Sequence, residues 1–472
     1  DIKMILYAFL FFVACTSAAK VPTCRMTKWT AWGDCQATKL CPSANSQTLI
    51  ESYDVPAAKI DEGRMHMQMS MAEKSKEAHR REACLRDGSC PLLPTSLGFT
   101  PCENGMAGIY PCRNVDIMSF VDFTDLGFTP TGNFDRAEGN DIWGWTDPLT
   151  GDEYAIMGLT VGTSFVKITD PSNPVTLAFL WTRKGASTWR DMKVIQNTAY
   201  IVSEDPDHGL QVFDLERLRT MTSFQYVEAD TLYSQFGNAH NIVANEDTKF
   251  LYVVGATQSQ YPGSCSGGLH VIDVSDRLNP KFAGCFPDDG YTHDAQCVVY
   301  NGPDHHYAGR EICFCYNENT LTIVDVTDKT DMVLISKKGY SGSLYTHQGW
   351  LSEDHTTVLL DDELDEYLFS NTMTYIWDVS HLKNPVLKHR YASSQRAIDH
   401  NQYIRDGYTY QANYEAGLRI LKVDQDNYNL DERAYLDVYP AATRVAFNGA
   451  WSVYPYFPSG TVIVSSIDYG LF

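Results

Sequence analysis

The sequence is short of basic side chains: 37 Lys and Arg stand against 59 Asp and Glu, a formal net charge of −22. That shortage argues against nucleic acid or an anionic lipid surface as a partner. It is compatible with cations, a basic partner or simple solubility. No Asn-x-Ser/Thr sequon occurs, so N-glycosylation is not expected. Past the N-terminal leader the apolar runs are only strand-length, which leaves no transmembrane segment to expect. CxxC, HExxH and Gly-x-Ser-x-Gly are missing, and no Gly-rich phosphate loop leads into a helix. A redox dithiol, a helix-borne zinc protease, a serine hydrolase of the nucleophile-elbow type and a P-loop are therefore unsupported.

What the chain has is a recurring phrase. A short polar cluster, usually built on histidine, opens a strand; a second strand ends in acidic or amide residues; a third reads Gly-Leu-x-(Val/Ile)-x-Asp. The openers include Asn238-Ala239-His240-Asn241, Tyr291-Thr292-His293-Asp294, Tyr345-Thr346-His347-Gln348 and Ile398-Asp399-His400-Asn401. Matching third strands are Gly209 to Asp214, Gly268 to Asp273, Asn319 to Asp325 and Gly417 to Leu421. Looser copies open at Asn140-Asp141-Ile142-Trp143, Trp189-Arg190-Asp191-Met192 and Phe447-Asn448-Gly449-Ala450-Trp451, which makes seven units. Four-stranded units repeating about every 45–55 residues predict an all-β fold, a seven-bladed β-propeller. The strands are rich in Val, Ile, Tyr and Phe, and turns such as Asp170-Pro171-Ser172-Asn173-Pro174 follow the third strands.

Three regions are expected. Residues 4–19 read as a cleaved secretory signal: the apolar run Ile5 to Ala14 is too short to span a bilayer and leads to Thr16-Ser17-Ala18-Ala19. Asp1 to Lys3, ahead of Met4, read as upstream translation. Residues 20–100 form a cysteine-rich module with a helix-prone stretch from Ala57 to Arg81, and residues 101–472 form the propeller. The stretch Val115 to Val121 is the candidate outer strand of the last blade, closing the ring. The third strand of that blade stops at Gly470-Leu471-Phe472 while its sisters run on, so a shortened closing blade is expected. Of thirteen cysteines, Cys15 leaves with the signal and twelve remain, an even number that reads as disulfides in an exported, extracellular chain. Proximity within the repeat pairs Cys102 with Cys112, Cys265 with Cys285 and Cys297 with Cys313; Cys315 has no obvious mate.

Two resemblances bear on function. Trp29-Thr30-Ala31-Trp32-Gly33-Asp34-Cys35, followed by Cys41, resembles the start of a thrombospondin type-1 repeat, which implies adhesion to matrix or polysaccharide; a disulfide knot that merely caps the chain is the alternative. From Pro101 onward the chain resembles the choice-of-anchor B family of exported propellers with LVIVD-type strands. That likeness rests on Cys102 to Asp116, Tyr291 to Cys297, Thr346-His347-Gln348-Gly349-Trp350, Asp362 to Glu366, Asp399-His400-Asn401 and Phe447 to Tyr456. It implies a secreted or surface-anchored propeller and no particular reaction.

In a propeller the strand openers and the ends of the second strands meet on one side of the central channel. Histidines and carboxylates from at least four blades are expected to converge there. The candidate metal ligands are His240, His293, His347, His400, Asp294, Glu318, Asp362 and Glu363. Imidazoles with a carboxylate suit Zn, Mn or Fe, whereas oxygen-only ligands suit Ca²⁺. Candidate ligand-binding residues are Arg190, Asp191, Glu204, Asn241, Trp350, Asn401, Tyr414, Glu415 and Trp451. Arg190 is a fixed positive charge suited to a carboxylate or phosphate, and the aromatics are suited to a sugar. The plainer alternative is that the repeated openers latch each blade to the next. The leading expectation is a secreted binding scaffold that engages an extracellular protein or a glycan at this rim, with a divalent cation as candidate cofactor. The second is a metal-dependent lyase or hydrolase at the same place, with a histidine and a neighbouring carboxylate as general base.

Overall fold

In the computed structural model the described residues are 97–369 and 371–472, together with the short antiparallel pair Val13–Ala14 and Arg25–Met26. The chain divides into two units, Asp1–Glu51 and Ser52–Phe472. The leader, the cysteine-rich module and the thrombospondin-like start otherwise lie outside the described residues.

Between Gly139 and Phe472 the repeated phrase folds as seven antiparallel blades. Their inner strands are Gly139–Thr146, Arg190–Ile195, Asn241–Asn245, Asp294–Val299, Thr346–Leu351, Gln402–Arg405 and Ala450–Tyr454. Each packs beside the next, and Ala450–Tyr454 packs beside Gly139–Thr146, so the circle closes. Blade 1 gains Gln225–Val227 as a parallel outer strand against Val175–Trp181. Blade 6 gains Tyr110–Arg113 and Met106–Ala107 beyond Asn429–Leu436.

The reason the phrase repeats is visible in the register. In five blades the pairing of the third with the fourth strand slips by one residue at the same place, between Phe165/Val166, Val271/Ile272, Ile323/Val324, Ile376/Trp377 and Ile420/Leu421. A bulge at that point bends and twists the outer strand, which lets its apolar side chains cover the next blade. The core consequently lies between blades, as where Phe165 of blade 1 meets Phe213 of blade 2 at 4.5 Å.

Closure uses the N-terminal segment. Val121–Asp122 pairs with Gly470–Leu471 as the outer strand of blade 7, while Ile117 and Phe120 bridge back to Thr100 and Leu97. Phe472 then sits between Phe120 (4.6 Å) and Tyr110 (5.1 Å), burying the junction. The third strand of blade 7 has two residues against five to seven in the other blades. The disulfides Cys102–Cys112, Cys265–Cys285 and Cys297–Cys313 are present, the last joining directly opposed residues of the first two strands of blade 4. Cys315 is buried as a free thiol. Among the described residues no helix is long and apolar enough to cross a membrane.

Candidate functional site

Each inner strand begins at the channel mouth, so the residue in the opener position points its blade's contribution at the same place. The imidazoles of His240, His293, His347 and His400 follow one another around the mouth at centroid distances of 4.2, 4.3 and 4.3 Å. All four are buried. In blade 7 the place is taken by Trp451, whose ring lies 5.1 Å from His400.

Every one of these imidazoles spends its Nδ1 outward. His240 Nδ1–H donates to Glu204 Oε1 at 2.6 Å and His347 Nδ1–H to Asp361 Oδ1 at 3.0 Å. His293 Nδ1–H donates to the backbone carbonyl of His347 at 2.8 Å, and His400 Nδ1–H to that of Trp451. In a neutral ring, an Nδ1–H engaged in this way leaves the lone pair on Nε2. Burial, followed by the neighbouring imidazoles, holds His293 and His347 well below the usual histidine range. For His240 burial again opposes charge, but the Glu204 carboxylate outweighs it and the net direction is up.

Glu363 completes the arrangement from the end of the second strand of blade 5. Its Oε2 is 3.9 Å from His347 Nε2, its Oε1 3.5 Å from His400 Nε2, and Tyr414 donates its hydroxyl to Oε1 at 2.7 Å. One ligand atom from each of His347, Glu363 and His400 falls within 4.8 Å of the others. Among the described residues this is the one such group. Two imidazoles and a carboxylate, each oriented by a further hydrogen bond, make a donor set for Zn²⁺ or another divalent transition metal. Two nitrogen donors in three make it a poor Ca²⁺ set. The adjoining gap, bordered by Arg190, His240, His347, His400 and Trp451, has a volume of about 10 Å³.

The other candidate residues have separate positions. Asp362 accepts from the backbone of Tyr345 (2.7 Å) and Leu344 (2.9 Å) and from the Tyr340 hydroxyl (2.8 Å), so it fixes the opener loop; burial pushes its carboxyl up to about 6. Glu318 is buried, and its backbone exchanges both hydrogen bonds with Thr346. Asp294 lies one layer deeper, with Oδ1 accepting from the amide of Ala295. Arg190 is 1 % exposed and donates to the Leu159 carbonyl (3.0 Å) and Thr182 Oγ1 (2.6 Å), tying blade 2 to blade 1. Glu415 holds Arg444 (2.9 Å) and Asn448 (2.8 Å). Trp350 packs on Tyr403 at 4.8 Å, farther down the channel than the histidines.

The blade-to-blade latch exists, and much of it is made by the residue after the opener. Asp191 Oδ2 accepts from the amide of Ile242, Asn241 Nδ2 donates to the His293 carbonyl, and Gln348 Nε2 donates to the Gln402 carbonyl, at 2.9, 3.1 and 3.1 Å. Asn401 reaches Asp141 Oδ2 at 3.4 Å. His293 and His400 latch as well, through Nδ1, and still present Nε2 to the mouth. A latch and a metal site are therefore not exclusive: the same hydrogen bond that joins blades orients the second nitrogen toward the mouth.

Sequence reasoning passed over a group beside Glu363. Asp365, Glu366 and Asp399 are all at most 2 % exposed, and burial pushes their carboxyls well above the usual range. Glu366 Oε1 accepts from the amide of Asp399 at 3.0 Å, while neither carboxylate oxygen of Asp399 has a hydrogen-bond partner among the described residues. The acidic run Asp361 to Glu366 was the available signal; which of its members face inward depends on the short helix Glu366–Phe369 that follows.

These features define the class: a seven-bladed β-propeller with a histidine-lined channel mouth. The LVIVD repeat family matches at residues 313–337, from the second to the fourth strand of blade 4, centred on Leu321-Thr322-Ile323-Val324-Asp325. No curated protein matches the chain. Similar solved structures include the Cps50 (Swd1) β-propeller domain of Myceliophteria thermophila, at 8 % identity and TM-score 0.44, covering 71 % of this chain and 96 % of that one. A functionally unknown protein from Desulfotomaculum acetoxidans is similar at 10 % identity and TM-score 0.45, over 67 % and 90 % of the two chains. Kuenenia stuttgartiensis hydrazine synthase is similar at 13 % identity and TM-score 0.44, over 68 % and 92 %.

Proposed function

We propose that this chain is a secreted binding scaffold of the choice-of-anchor B type whose channel mouth holds a divalent transition-metal ion on His347, His400 and Glu363. The observation that carries the reading is that two buried imidazoles turn Nε2 toward one carboxylate while Nδ1 of each is already committed. The metal would bind neutral imidazoles, the form that burial favours for His347. It would tie blade 5, which supplies His347 and Glu363, to blade 6, which supplies His400.

The rim above it is where a partner, an extracellular protein or a glycan, would be engaged. The narrow gap supports a scaffold over a lyase or hydrolase. About 10 Å³ is close to one water-sized sphere and leaves no place for a substrate beside the metal. Three disulfides in the described residues and the acidic charge fit an extracellular setting.

The test is elemental analysis by mass spectrometry of protein purified without a His-tag or chelator. Near-stoichiometric Zn, Mn or Fe is expected, lost in His347→Ala and in Glu363→Gln but retained in His240→Ala, with circular dichroism confirming that each variant is folded. Metal retained in the first two variants, or no uptake by the wild type on titration with Zn²⁺, would end the proposal. Calcium in place of these metals would move the site to the carboxylates.

A further inference from the structure

The inner strands carry a second layer below the histidines. Three residues beyond each opener position lie Trp143, Lys193, Val243, Gln296, Trp350, Tyr403 and Tyr454, one from each blade, and all seven line a chamber of about 430 Å³ at the end of the channel away from the histidines. That volume is in the range of small-molecule sites.

The walls are aromatic and set at angles to one another. Trp143 meets Tyr454 at 5.0 Å and Tyr403 at 5.6 Å, both edge to face, and Trp350 meets Tyr403 edge to face at 4.8 Å. Tyr456 lies 6.3 Å from Tyr403, again edge to face. Rings at these distances pack on one another, and the faces and edges they leave toward the chamber line it with π surface, which attracts a cation where a face is presented. The protein already uses one of these faces so: Lys193 Nζ sits 4.7 Å over the Trp143 ring.

Charge points the same way. Among the described lining residues Lys193 is the one lysine or arginine, and it is paired with Asp191 at 2.5 Å. Asp141 and Asp294 also face that ammonium, and Asp294 lines the chamber. Glu246 and Asp247 stand exposed at its opening. Asp191 alone compensates Lys193, and Asp141 and Asp294, pushed up to about 7 by burial, add negative charge above that pH, so a ligand cation meets no uncompensated positive charge.

A neutral sugar fits less well, because the polar groups it would need are engaged. Gln296 Oε1 accepts from the amide of Leu351 (2.7 Å), Asn245 Nδ2 donates to Glu311 (2.8 Å), and the Tyr456 hydroxyl donates to the Ile404 carbonyl (3.1 Å). A methylated ammonium needs only ring faces and a nearby carboxylate. We propose that this chamber binds a small organic cation of the quaternary or methylated ammonium class, lodged among Trp143, Trp350, Tyr403 and Tyr456. The site is separate from the metal centre proposed above, and neither depends on the other.

The test is titration of the full chain with choline, with its uncharged tert-butyl isostere and with a neutral disaccharide, read by tryptophan fluorescence and by calorimetry. Choline is expected to bind at least tenfold more tightly than the isostere. Trp350→Ala should weaken it at least tenfold, and the isosteric Asp294→Asn several-fold, with thermal unfolding of both variants recorded to show that they fold. Equal binding of choline and the isostere would reduce the chamber to an apolar pocket and overturn the proposal. So would preference for the disaccharide, tighter binding by Asp294→Asn, or no choline signal at millimolar concentration.

Discussion

Glu311, on the second strand of blade 4, gathers more partners than any candidate for function and offers a direct measure of what joins two blades. Asn245 Nδ2 (2.8 Å), Thr248 Oγ1 (2.8 Å) and the Tyr252 hydroxyl (2.6 Å), all from blade 3, donate to its Oε1. Lys329 Nζ donates to Oε2 at 2.7 Å. The residue is 4 % exposed and the Lys329 side chain 10 %. Glu311→Ala removes the acceptor and leaves four donors behind. Buried donors without partners cost about 1–3 kcal/mol each where water does not follow, and breaking a buried ion pair from one side costs about 3–5 kcal/mol. Because the freed volume admits some water, the low end applies to each of the four donors, Lys329 included, and a loss of about 4 kcal/mol is expected. Glu311→Gln keeps the shape and one acceptor but faces Lys329 with a neutral amide, and should cost roughly half that. The assay is urea unfolding followed by tryptophan fluorescence, compared at constant slope. Replacing both partners, Glu311→Leu with Lys329→Met, should recover only about 1 kcal/mol, since it removes the buried ammonium but leaves Asn245, Thr248 and Tyr252 without their acceptor. A Glu311→Ala cost below about 1 kcal/mol, the level of an exposed pair, would refute the reasoning. Lys388→Ala, which removes the exposed partner of the Asp378 pair, provides that reference.

Arg190→Met should destabilise by about 2–4 kcal/mol, because it removes the buried donor to the Leu159 carbonyl and to Thr182 Oγ1; an unchanged urea midpoint would contradict a clamp and return Arg190 to the candidate binding groups. Replacing Cys297 and Cys313 together by Ala opens a loop with a sequence separation of 16 and should cost about 3 kcal/mol by the chain-entropy argument, read from the same unfolding curves. Cys315 should stay unreactive toward a thiol dye until urea unfolds the chain, since it is buried and burial pushes its thiol well up. The unfolding midpoint should be highest at about pH 4, near the ordinary carboxylate range. Burial, with the neighbouring Asp191 carboxylate, pushes Asp141 and Asp294 up to about 7, against the Lys193 ammonium and, for Asp294, His240. Their contribution is full below the ordinary carboxylate range and is lost as pH climbs through about 7. Asp147, held down to about 2 by the Arg219 hydrogen bond, contributes above that range and is lost as pH falls toward 2. A midpoint that rises steadily from pH 5 to pH 8 would disprove this assignment.

The blades were legible in the sequence because one register slip, repeated, writes one phrase, repeated: Val271/Ile272 and Ile323/Val324 sit in the same place in Gly-Leu-x-(Val/Ile)-x-Asp. The meeting of histidines with second-strand carboxylates was legible for the same reason, since Glu204 with His240 and Asp361 with His347 follow from topology alone. Which carboxylate faces two imidazoles was not. That choice falls to Glu363 over its neighbour Asp362, whose oxygens turn to the amides of Leu344 and Tyr345. Arg190 looked like a free charge because its partners, Leu159 and Thr182, belong to the preceding blade and carry no pattern of their own. The aromatic chamber was written at a fixed offset from each opener. It went unread because Trp143, Trp350, Tyr403 and Tyr454 are also ordinary packing residues for a sheet.

The last blade sets the tempo of the whole molecule. Its outer strand comes from Val121–Asp122 and its neighbour from Gly470–Leu471, so a short pairing spans nearly the entire described chain, beside the Tyr110–Arg113 strand that joins blade 6. Joining ends separated by roughly 350 residues costs about 5 kcal/mol in loop entropy, recovered only when the strands meet and Phe472 enters between Tyr110 and Phe120. Six blades can stack as they are synthesised, but the circle is a late event and a reversible one. Opening is expected to begin at that seam, where the pairing is two residues long and the chain ends meet.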